Sequence, residues 1–113
     1  MRVTDSATSS ALHDLSRYEI RTLRRQARHG DAAAAFTLAM AYETGYLVPQ
    51  SCKKAAALVE TSAKAGNLAA EYNLGLRYRY GDGIPANANK AAKWLQKAEG
   101  RGYPKPTIVV SAN

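Results

Sequence analysis

Apolar residues return every three or four positions along most of this chain, and glycines interrupt them at regular distances. Leu12, Leu15, Ile20, Leu23 and Ala27, with Glu19 among them, fall roughly on one side of a helix, which predicts a first helix over residues 11–29. Ser16-x-x-Glu19 has the form of a capping box, so this helix either starts near Ser10 or restarts at Ser16; a nearly continuous helix is the expectation adopted. Gly30 stops it, Asp31 can cap the next, and a second helix is expected over roughly 32–44. Gly45 closes that helix, and the loop to Ser51 leads into a third over about 52–65, with Ser51 as N-cap. The same cycle follows once more: Gly66, Asn67 as cap, a helix to Tyr80, the loop Gly81 to Asn87, and a last helix over about 88–100.

The cycle is a true repeat. Residues 27–62 and 63–98, 36 positions apart, coincide at eleven places, including Gly30/Gly66, Leu38/Leu74, Tyr42/Tyr78, Gly45/Gly81, Pro49/Pro85 and Lys54/Lys90. Conservative pairs such as Phe36/Tyr72, Met40/Leu76, Val48/Ile84 and Leu58/Trp94 fill many of the gaps. A period of this length marks stacked helical hairpins, none of which buries its apolar face without a neighbour. It argues against most enzyme architectures and for a surface that holds another molecule. In each loop an apolar residue, Val48 or Ile84, precedes a proline, and it is expected to tuck under the helix pair.

Composition sharpens this picture. In 113 residues, enough for one domain, 46% are hydrophobic, yet there is one Phe and one Trp and much of the remainder is alanine. Such a core needs closely approaching helices, for which Ala34, Ala39, Ala70 and Gly75 leave room. The single cysteine, Cys52, has no intrachain partner for a disulfide, and no run of about 18 apolar residues occurs. A cytoplasmic protein without a membrane span is the expectation. Lys and Arg outnumber Asp and Glu sixteen to nine, a net charge of +7, which bears on partners rather than on fold.

The pattern A-x-x-G-x-x-x-A-x-x-x-L-G-x-x-Y-x-x-G-x-G-x-P, followed by K-A-A-x-W, resembles the Sel-one-like repeat, a relative of the tetratricopeptide repeats. The second copy carries it nearly whole, in Gly66, Ala70, Leu74, Gly75, Tyr78, Gly81, Gly83, Ile84, Pro85, Lys90, Ala91 and Trp94. The first departs from it at Ala39, Leu47 and Leu58. The resemblance covers about residues 16–104. It implies an all-α, right-handed α-α superhelix, or solenoid, of two helical-hairpin repeats preceded by one N-terminal helix. The organisation expected is a tail at 1–10, a repeat domain at 11–102 and an extended C-terminal tail at 103–113. Within the domain these are the helix at 11–29, repeat one at 30–65 and repeat two at 66–101. Pro106 and the β-branched run Thr107 to Val110 disfavour a further helix.

Little in the chain looks catalytic. His13 and His29 are sixteen residues apart and share no short spacing with Cys52, and zinc sites need tighter clusters. His29 suits a helix C-terminus, where a cationic ring complements the dipole. Cys52, in the first turn of a helix, could be activated there, but a small packing residue is the plainer reading. Gly81-Asp82-Gly83 lacks the strand and the Gly-Lys-Ser/Thr ending of a phosphate loop. No enzyme activity, cofactor or metal is expected.

Two surfaces stand out instead. Arg17, Arg21, Arg24 and Arg28, with Arg25 beside them, form a basic stripe about 17 Å long at a rise of 1.5 Å per residue. Lys90, Lys93, Lys97 and Arg101 make a second stripe on the last helix. Either is a solvated face or a site for an acidic partner, since guanidinium groups pair with carboxylate or phosphate. The resemblance also nominates an inner groove lined by the first helix of each pair, with Thr37, Met40, Thr44, Asn73, Arg77 and Tyr80 as its partner-binding residues. The function expected is that of a non-enzymatic adaptor or scaffold presenting this groove to a protein or peptide partner, of acidic character if the stripes take part. Nucleic-acid binding through the Arg and Lys stripes is the alternative, disfavoured because stacking aromatics are sparse among them. The flank of the last helix around Trp94 and Leu95 is expected to be covered by the C-terminal tail or by a second copy in a homodimer.

Overall fold

The structure is a computed structural model that describes the backbone of residues 6–103 and side-chain surroundings from residue 17 onward. Its elements are α1 (Ser6–Arg28), α2 (Ala32–Thr44), α3 (Cys52–Lys64), α4 (Leu68–Tyr80) and α5 (Ala88–Gly100). No strand occurs among the described residues. Each helix packs on the next in chain order, α1 on α2 through to α4 on α5, which is the arrangement of an α-solenoid.

The helix boundaries follow from side chains that satisfy the free backbone amides of a first turn. Asp31 accepts from the Ala34 amide at 2.9 Å, Ser51 from Lys54 at 3.1 Å, Asn67 from Ala70 at 3.0 Å and Asn87 from Lys90 at 3.0 Å. α2 and α4 end at Gly45 and Gly81, both in left-handed geometry. The first helix departs from expectation at its start. α1 already includes Ser6 to Ser10, assigned to a tail above, and runs unbroken through Ser16 and Glu19, so no capping box forms there. Once a helix is nucleated, each added residue brings a hydrogen bond, which lets Ser and Thr of modest propensity join its N-terminal end. The expected C-terminal segment lies beyond the described residues, except for Tyr103, whose ring stacks on Tyr72 with centroids 4.4 Å apart.

Two apolar clusters hold the stack. Ile20, Leu38, Ala41 and Val48 join α1 to α2 and its loop. Ala39, Val59, Ala63, Ala70, Leu74, Tyr78 and Ala91 join the two hairpins, with Phe36, Ile84 and Trp94 packed against them. Val48 and Ile84 sit under their helix pairs as their loop positions imply. The closeness that alanine and glycine permit is measurable at Gly75: a Cβ there would lie 2.7 Å from the Leu95 side chain, so α4 and α5 could not remain where they are.

Candidate functional site

α2 and α4 together build a face with two clefts that meet at Met40. The first, about 280 Å³, lies between α1 and α2 and is lined by Glu19, Ile20, Leu23, Thr37, Met40, Ala41, Thr44 and Tyr46. The second, about 300 Å³, lies between α2 and α4 and is lined by Met40, Glu43, Asn73, Leu76, Arg77, Tyr80 and Asp82. All six groove residues nominated from sequence border one or the other. Thr37 and Thr44 are exposed at the rim, their hydroxyls turned back to the carbonyls of Ala33 and Met40 at 3.0 Å. Tyr80 is 72% exposed, an aromatic ring with one face available for contact.

Arg77 is not the surface guanidinium that its position suggested. It is only 4% exposed. Its Nη2 donates to Glu43 Oε1 at 2.6 Å, its Nε to Asn73 Oδ1 at 2.8 Å, and its Nη1 lies 3.4 Å from Asp82 Oδ2. A carboxylate from the first unit thus locks onto an arginine of the second, and the loop after α4 closes the group from the other side. Arg77 ties the repeats together through Glu43 and, with Asn73, shapes the cleft wall; Thr37, Thr44 and Tyr80 are exposed around the clefts and Met40 is half-buried between them. Sequence inspection missed Glu43, because its partner lies 34 positions away on another helix. It also missed Tyr46, Asp82 and Glu19, the last read there only as part of the helix and its capping box.

Beside this ion-pair group, Glu43, Cys52 and Asp82 bring their potential ligand atoms within 4.8 Å of one another. The Arg77 guanidinium already supplies the positive charge that both carboxylates face, so the cluster is satisfied as an ion pair. Desolvation of the sulfur, and then the negative charges of Asp82 and Glu43, push the Cys52 thiol above its ordinary pKa. That is the reverse of an activated nucleophile.

The arginines of α1 lie elsewhere. At roughly 100° per residue, Arg17, Arg21, Arg24 and Arg28 are about 100–160° around α1 from Leu23, on the flank away from the clefts, and Arg25 is about 160° from it in the opposite sense. Arg17, Arg21, Arg25 and Arg28 are exposed, whereas Arg24 donates to the Tyr42 hydroxyl at 3.3 Å. Lysines of α3 and α5 sit on aromatic rings: Lys54 is 5.6 Å from the Tyr42 centroid, Lys90 5.5 Å from Tyr78 and Lys97 5.2 Å from Trp94. Groove and basic stripe are therefore separate surfaces.

No described helix is long and apolar enough to cross a membrane. Comparison with solved structures finds a Sel1 repeat protein from Oxalobacter formigenes, 41% identical, with a TM-score of 0.69 over 72% of this chain and 24% of that one. A protective antigen of uropathogenic Escherichia coli strains, displaying an SLR fold, is 32% identical with a TM-score of 0.70 over 74% of this chain and 18% of that one. The chain thus spans a quarter or less of either protein. No curated protein matches it. The Sel1 repeat family matches residues 32–67 and 68–103, the same 36-residue period that the sequence displays. With two such units, the helical pairs they form and these structural relatives, the chain belongs to the Sel1 repeat family.

Proposed function

We propose that this chain is a non-enzymatic protein-interaction module, an adaptor or scaffold that holds a protein or peptide partner on the face built by α2 and α4. The observation that carries this reading is the continuity of the two clefts through Met40, with Thr37, Thr44, Tyr46 and Tyr80 around them. Exposed tyrosines on a rigid scaffold give contact area at small cost in conformational entropy. The rigidity comes from the Arg77 ion pairs and the small-residue helix packing, so the partner meets a preformed surface.

Thr37→Arg/Thr44→Arg fills the first cleft without touching the core. Surface changes of this kind usually shift stability by about 0.5 kcal/mol or less. Capture of proteins from the native host on immobilised chain is expected to be lost in this variant while its melting is unchanged; an identical set of captured proteins would overturn the groove reading. Nucleic-acid binding through the basic flank is the weaker reading, because Tyr42, Tyr78 and Trp94 are engaged by lysines rather than open for base stacking.

A further inference from the structure

The α2 wall of the first cleft corresponds to the α4 wall of the second, but only the second carries ionised groups. Thr37, Met40, Ala41, Thr44 and Tyr46 of the first recur 36 positions later as Asn73, Leu76, Arg77, Tyr80 and Asp82 of the second. The second cleft is completed by two side chains of α2: Met40, which is apolar, and Glu43, whose carboxylate lands on Arg77. The α4 wall is thereby faced from α2 by an apolar side chain together with a charge that matches the guanidinium.

In the first copy the wall is different. Ala41 stands where the second has Arg77, so there is no guanidinium to receive a carboxylate. Glu19 from α1 lines it instead, exposed and, among the described residues, in no ion pair. Across both clefts the charged lining residues are Glu19, Glu43 and Asp82 against the buried Arg77, in a chain where bases outnumber acids sixteen to nine. The groove is locally acidic on a basic protein.

We propose that the cleft between α1 and α2 binds a basic, apolar peptide segment of another protein, with an apolar side chain over Ile20, Leu23 and Met40 and a neighbouring Lys or Arg on Glu19. This rests on the groove reading above and reverses the acidic partner that the net charge alone suggests. The exposed arginines on the other side of α1 disfavour docking of a basic segment there.

Two fluorescent probes test it on the full chain: a short peptide with a leucine pair flanked by lysines, and the same peptide with glutamate in place of every lysine. The lysine peptide is expected to bind about tenfold more tightly at low salt, the combined effect of a few partly exposed charge pairs. Glu19→Gln should remove most of that preference, serine in place of the leucine pair should abolish binding, and Thr37→Arg/Thr44→Arg should block it. Equal or tighter binding of the glutamate peptide, still blocked by the double arginine variant, overturns the charge assignment and leaves the groove reading standing. Binding that ignores the double variant, or no binding of either probe, overturns both. Light scattering covers the remaining occupant: a dimer at low salt that the double variant dissociates means that a second copy, with its own basic flank, fills the cleft, and the proposal fails.

Discussion

The two repeats share a backbone plan but are joined to their surroundings in different ways. The second keeps glycine at 75 and 83, an arginine at 77 and Trp94; the first has Ala39, Leu47, Ala41 and Leu58 at the same places. Each difference tracks what lies alongside. Beneath the second loop, α3 begins close by: a Cβ on Gly83 would stand 2.1 Å from the carbonyl oxygen of Cys52. Beneath the first loop lies α1, a 23-residue helix that continues past the corresponding point. There Leu47 holds a left-handed backbone with φ of 60° and carries a full side chain. The same turn is tight in one unit and roomy in the other, so the departure from the family pattern at Leu47 reflects the neighbour of the loop rather than decay of the turn.

The largest effect expected from exchanging features between the units is at Gly83. Gly83→Ala places a methyl group inside the Cys52 carbonyl, and φ of 76° adds backbone strain. A loss of about 3 kcal/mol or more in urea unfolding is expected. A loss below about 1 kcal/mol would show that the second loop is no tighter than the first and would remove the contrast.

Next in size is the clamp that only the second unit possesses. Removing both acids by Glu43→Gln/Asp82→Asn strands a guanidinium that is almost wholly buried, which costs about 3 kcal/mol. Arg77→Met should cost less, about 1–2 kcal/mol, because side chains of Glu43 and Asp82, 34% and 42% exposed, can return to water. The reverse order would mean that the acids, not the arginine, bear the desolvation. The double acid variant also removes the charges that raise the Cys52 thiol. Its thiolate then forms at lower pH, and alkylation of Cys52 near neutral pH should be faster than in the parent chain.

The fold was legible because its punctuation is local. Glycine stops at 30, 45, 66 and 81 and caps at 31, 51 and 67 set the helix ends, and the 36-residue period set their stacking. The start of α1 was not, since a stretch of Ser and Thr carries no distinct boundary. At the groove, Thr37, Met40 and Tyr80 were legible through the family resemblance, and all three line the clefts. The role of Arg77 was not, because an arginine on a helix reads as solvent-facing until its partner on another helix is known. Glu71 is a second case: it occupies a fully buried position, 1% exposed, that alanine fills in the first unit.

Glu71 gives the third prediction. Its Oε2 accepts from Arg101 Nη1 at 2.5 Å and lies 4.0 Å from Lys97, while its Oε1 is buried without a hydrogen-bond partner. Arg101→Ala leaves a buried carboxylate with only a distant lysine and should cost about 2 kcal/mol. Glu71→Ala restores the residue of the first unit, frees an arginine that can hydrate, and removes an unsatisfied oxygen. It should cost about 1 kcal/mol or less. Equal losses would mean that stranding the Glu71 carboxylate costs no more than removing it.

The smallest effect expected is the converse of the first exchange, Leu47→Gly, and two opposing contributions decide its size. Left-handed geometry costs a residue with a side chain roughly 1 kcal/mol relative to glycine, which the substitution would recover. Leu47 is also half-buried against Ile20, Leu38 and Val48, and removing part of that packing forfeits about the same amount. Glycine further gains freedom in the unfolded chain, which tips the balance slightly against the variant. A net loss of about 0.5 kcal/mol is expected, several times smaller than at Gly83, measured on the same unfolding curves. A loss matching that of Gly83→Ala would show that the side chain of Leu47 anchors the first loop to α1. The first unit would then depend on a leucine at the position where the second depends on having no side chain at all.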